Sequence, residues 1–134
     1  MRTAARLLVI VGMWTTQVWA DDLPVPSSWK NQRGSIVTFA SKASTGELTG
    51  TFTNQFSRFP KCLDTFDLVG MVTGNQVSFV STMKNSTVDC HLLVAWTGTM
   101  SKGTLTTAVE LAEASPATGK ISKFSSKDVF TRQP

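Results

Sequence analysis

Residues 79–98 read FVSTMKNSTVDCHLLVAWTG. Two β-rich runs, one carrying Ser and Thr and one almost wholly apolar, flank a short polar segment that ends at Cys90. The stretch holds one of the two cysteines, the single histidine His91, and Trp96. Successive side chains of a strand point to opposite faces, so each run presents one inward set, and those inward sets govern what the protein holds. By the same rule the adjacent Cys90 and His91 face apart and do not form a catalytic dyad.

Working outward, the pattern of 79–98 repeats along the chain. Strand character is read at 29–31, 35–40, 47–52, 68–73, 76–83, 92–100, 104–111 and 128–132, where β-branched and aromatic residues predominate. Turns fall at 42–46, at Gly74-Asn75 and at Ser101-Lys102-Gly103. The longer connections 54–67, 84–90 and 112–120 read as loops, and 54–67, with Pro60 and Cys62, has no clean periodicity and is a candidate for function. Eight short strands with no convincing amphipathic helix predict an all-β fold, an eight-stranded antiparallel up-and-down barrel, with a sandwich as the main rival. A barrel of that size can hold one small ligand, which points to a binding protein.

The chain of 134 residues fits one domain behind a leader. Residues 1–20 read as an export signal: Arg2 and Arg6 supply the positive start, an apolar run follows, and Val18-Trp19-Ala20 leaves a cleavable end. That run is too short for a membrane anchor, which needs roughly 20 apolar residues. Residues 21–26 read as a loosely packed N-terminal arm, and 27–134 as the barrel domain. Arg2 and Arg6 account for two of the net +4 charges, leaving +2 on the rest. The lysines are scattered with no arginine-rich stripe, so no nucleic-acid partner is expected, and no membrane association after cleavage. An exported chain meets an oxidising environment, so Cys62 and Cys90 are expected to form a disulfide pinning two loops. Two thiols and His91 do not make a zinc shell, so no metal is expected.

Enzymatic chemistry finds little support. There is no G-x-S-x-G elbow, no H-E-x-x-H and no P-loop. Asp64, Asp67, Glu110 and Glu113 sit at loops or strand ends and read as solvated surface, so no catalytic residue is assigned.

Four motifs in order resemble the avidin family: Ser27-Ser28-Trp29-Lys30-Asn31-Gln32-Arg33-Gly34-Ser35, Gly46-Glu47-Leu48-Thr49-Gly50-Thr51-Phe52, Trp96-Thr97-Gly98, and Asp128-Val129-Phe130-Thr131. The resemblance spans about 27–132, nearly all of the chain after the leader, and is similar to the dimeric, rhizavidin type, because Asn85-Ser86-Thr87 and Cys90 precede Trp96-Thr97-Gly98. It implies a Cys62–Cys90 bond between the loops after the third and fifth strands. It also implies biotin as a ligand, not a cofactor, at the open end of the barrel. Asn31 and Ser35 match donors to the urea oxygen, Asp128 the acceptor for a urea N–H, and Asn54 a second polar contact. On their residues alone, Asn31 and Ser35 read equally as a turn around Gly34.

The sequence also departs from that pattern. Phe52 stands where the family has a tyrosine, Met83 and Val109 where it has tryptophans, Leu92 where a serine meets the tail, and Val94 where a threonine meets the ring sulfur. Trp96 alone keeps the aromatic lining, and Lys120 falls near the tryptophan that tetrameric members lend to a neighbour. With Phe56, these apolar residues read either as mouth lining or as core. The expectation is a secreted or periplasmic, non-enzymatic homodimer that binds biotin or a related small ligand with reduced affinity. The alternatives are an avidin fold that has lost biotin and acts through a protein or surface interaction, and a lipocalin-like carrier, for which the chain is short.

Overall fold

The computed structural model describes residues 22–134, so the leader expected over 1–20 lies outside the described residues. Eight strands run β1 (Ser27–Asn31), β2 (Ile36–Lys42), β3 (Glu47–Thr53), β4 (Thr65–Thr73), β5 (Gln76–Lys84), β6 (Asp89–Ser101), β7 (Thr104–Ala114) and β8 (Ile121–Arg132). Each pairs antiparallel with its neighbours in sequence, and β1 closes on β8 through Trp29↔Arg132 and Asn31↔Phe130. The barrel expectation stands and the sandwich does not.

Alternation explains the closure. Val77, Phe79, Ser81 and Met83 of β5 point inward between exposed or half-buried neighbours, and Leu92, Val94 and Trp96 of β6 do the same. The inward aromatics form a continuous column. Phe79 stacks on Trp96 at 5.0 Å between ring centroids, meets Phe39 edge-on at 5.3 Å, and lies 6.2 Å from Phe130. Neighbouring strands approach closely at Gly98, where an added Cβ would lie 1.8 Å from the Thr106 carbonyl oxygen across the β6–β7 pair.

Several boundaries differ from the sequence reading. β4 begins at Thr65, inside the expected 54–67 loop, because Phe66 is buried opposite Phe52. That loop keeps a single 3-10 turn, Pro60–Cys62. β7 continues to Ala114 and β8 starts at Ile121, not Asp128. Residues 121–127 are exposed on both faces, so they carry no alternation, and pairing with β7 from Ala108↔Lys127 to Ala114↔Ile121 holds them. The arm is also better packed than expected. Leu23 is 1% exposed in the core, and Lys42 Nζ donates to its carbonyl at 3.4 Å.

Candidate functional site

The β1–β2 turn and the β3–β4, β5–β6 and β7–β8 connections gather at one end of the barrel, around a cavity of about 430 Å³. That lies within the usual ~300–1,000 Å³ of small-molecule sites. All ten site residues read from the sequence line it: Asn31, Ser35, Phe52, Asn54, Met83, Leu92, Val94, Trp96, Val109 and Asp128. Of the lining, Arg33, Arg58, Phe59, Leu111 and the segment 123–126 were not assigned from sequence.

The polar floor is built on the β1–β2 turn. Gly34 takes φ +87°, a conformation open to glycine, and lets the chain reverse within Asn31 to Ser35. Asn31 Oδ1 accepts from the backbone N–H of Arg33 at 3.0 Å and of Ser35 at 2.9 Å. The carbonyl side of the amide is thereby consumed by the turn, which leaves Nδ2 as the group Asn31 can offer the cavity. Ser35 Oγ accepts from Gln55 N at 2.9 Å, so its hydroxyl hydrogen is what it has to donate. The turn and the donor roles are therefore compatible. Asn54 is more fully engaged: Nδ2 donates to Cys62 O at 2.9 Å and Oδ1 accepts from Phe56 N at 3.1 Å.

Asp128 sits opposite, 4% exposed. Trp96 Nε1 donates to its Oδ2 at 2.8 Å, and Gln32 Nε2 to its Oδ1 at 3.2 Å. Arg33 Nη1 also donates to Oδ1 as a salt bridge. Gln32 is fixed in turn, donating to Lys127 O at 2.9 Å and accepting from Val129 N at 3.0 Å. The buried carboxylate thus has a cationic partner and a hydrogen-bond donor at each oxygen, as burial of charge demands.

The walls are apolar. Phe52 packs against Trp96 at 4.6 Å between centroids, and Met83, Leu92, Val94 and Val109 are each at least nine-tenths buried. At the rim, Phe56 and Phe59 meet edge-on at 5.9 Å, the Arg33 guanidinium lies 4.7 Å from the Phe56 centroid, and Arg58 lies 5.6 Å from that of Phe124.

Two loops shape the mouth. Cys62 and Cys90 are joined with Cα atoms 5.8 Å apart. The bond differs from a link between two loops: Cys62 lies in the 3-10 turn with its side chain in the core, and Cys90 lies within β6. Between the pairs Thr82↔Leu93 and Lys84↔Asp89 the register shifts, and His91 takes φ 55°. This bulge turns Leu92 inward and leaves His91 exposed. Asp64 and Asp89, at the loop ends, have their carboxyl pKa values held below normal, mainly by the backbone N–H of Thr65 and of His91 respectively.

The family model described as the Avidin family matches residues 20–133. The chain belongs to the avidin family. Afifavidin of Afifella pfennigii is 32% identical over 111 residues, covering 80% of this chain and 68% of afifavidin. The rhizavidin–biotin complex matches with a TM-score of 0.75 at 27% identity, over 83% of this chain and 93% of that one. The bradavidin2–biotin complex matches with a TM-score of 0.71 at 32% identity, over 84% of this chain and 100% of that one. The avidin resemblance read from the four motifs therefore stands, with rhizavidin among the similar structures.

Proposed function

We propose that this avidin-family chain is an exported, non-enzymatic binding protein that holds biotin in the barrel mouth, more weakly than a site with the family's full contact set. The observation that carries the reading is the convergence of all ten expected residues on one cavity, with Asn31, Ser35 and Asp128 at its polar floor and apolar walls above. A cyclic urea needs donors for its oxygen and an acceptor for its N–H, and those residue types supply both. The biotin complexes of rhizavidin and bradavidin2 lend support from relatives of the same fold.

The lining supports the reduced affinity. Phe52 offers no hydroxyl, and Met83 and Val109 fill less of the wall than tryptophans would. Truncating an aromatic anchor typically costs ~2 kcal/mol or more at a binding centre. Export to a secreted or periplasmic location is supported by the sequence of residues 1–20 and by the disulfide.

Asp128→Ala tests the placement of the head group. Removing the acceptor should weaken biotin by about 1–3 kcal/mol in calorimetry, a loss of roughly 5- to 150-fold. Unchanged affinity would place the urea elsewhere.

A further inference from the structure

The acceptor that a ligand would use is already taken by the chain itself. Asp128 Oδ1 receives Arg33 and Gln32, and Oδ2 receives the Trp96 indole. A carboxylate has about four acceptor positions, so three are filled. Gln32 is not part of the cavity lining, whereas Arg33 is. Its guanidinium reaches in from the β1–β2 turn, donates through Nη2 to Ser126 Oγ at 2.9 Å, and lies against Phe56 at 4.7 Å. The Arg33 side chain is 29% exposed, so it forms part of the wall more than of the solvated surface.

A guanidinium presents planar N–H donors, the chemistry that a cyclic urea offers the same carboxylate. The guanidinium also carries a full positive charge beside the carboxylate, so it adds an ion-pair attraction that a neutral N–H group lacks, and the neutral group competes at a disadvantage. We propose that Arg33 is an internal competitor for Asp128: a head group that hydrogen-bonds to Asp128 must displace Arg33 from it, so Arg33 sets the affinity for such ligands and selects those able to supply an N–H in its place. The inference rests on the biotin reading of this cavity.

A head group without N–H donors gains nothing at Asp128 when Arg33 leaves. This separates the latch from simple blockage of the cavity by a bulky side chain. Lysine keeps the charge but not the planar fork, so it should compete less well than arginine.

The test is calorimetry of wild type, Arg33→Leu and Arg33→Lys with biotin and with lipoic acid, which has the same type of carboxylate tail and a ring without N–H. Arg33→Leu should tighten biotin by about tenfold or more, with Arg33→Lys between the two, while lipoate affinity stays the same in all three. Without ligand, Arg33→Leu should melt at a lower temperature, because Asp128 loses its counter-charge, and biotin should raise its melting temperature more than that of wild type. If Arg33→Leu fails to fold, the comparison of wild type with Arg33→Lys decides. Biotin binding that is measurable but not tightened by either substitution overturns the latch alone. Lipoate gaining in parallel with biotin overturns selection through the N–H. No biotin binding by any of the three proteins overturns the biotin reading and the latch with it.

Discussion

A missing hydroxyl separates Phe52 from the tyrosine that the avidin resemblance places there. Phe52 is buried in the cavity wall with its ring against Trp96, so a hydroxyl added to it would enter a site already shaped by packing. Phe52→Tyr is therefore expected to tighten biotin by about 1 kcal/mol, several-fold in calorimetry, through one added donor. Weaker or unchanged binding would mean that the ligand oxygen is not held near β3. The ten residues were legible because the resemblance carries positions in order along the chain, and the barrel brings them together. Arg33 was not, because a charged residue beside Gly34 in a turn reads as solvated surface, and nothing local reports that Asp128 lies across the cavity from it. Arg58 and Phe59 were missed because the loop before β4 has no period from which to infer a facing direction.

At the level of elements, strands with one wet and one dry face were legible, and the strand with two wet faces was not. β5 and β6 alternate, so their inward sets could be read from residues 79–98. The first half of β8 is held by backbone pairing to β7, a long-range interaction with no imprint on local hydrophobicity, and Lys123 to Ser126 were lost from the site with it. The bulge at His91 was likewise invisible, because it is defined by register with β5. The disulfide fastens that bulge to the 3-10 turn beneath the mouth, across a sequence separation of 28. The paired substitution Cys62→Ser and Cys90→Ser should lower the unfolding free energy by about 3 kcal/mol, seen as an earlier denaturant midpoint, because the open chain gains the entropy of the released loop. An unchanged midpoint would show that the strands alone fix the mouth.

Across the whole molecule, the core column of aromatics and the cavity share Trp96, so ligand site and fold stability are joined at one side chain. The outer face carries a second feature. Val69 of β4 pairs with Val80 of β5, with Met71 and Leu93 nearby, and all four are exposed in the single chain. Such a patch is consistent with the homodimer expected from the sequence, since exposed apolar surface marks association. Val80→Glu should leave the barrel folded and shift the species seen by sedimentation from dimer to monomer. A wild-type chain that sediments as a monomer would contradict that expectation. Whether the cavity at the open end takes biotin is read by titrating the wild-type protein with biotin in a calorimeter. Saturable heat from a single site per chain, accompanied by a rise in melting temperature, is the expected result. No heat and no thermal shift at millimolar biotin would contradict it.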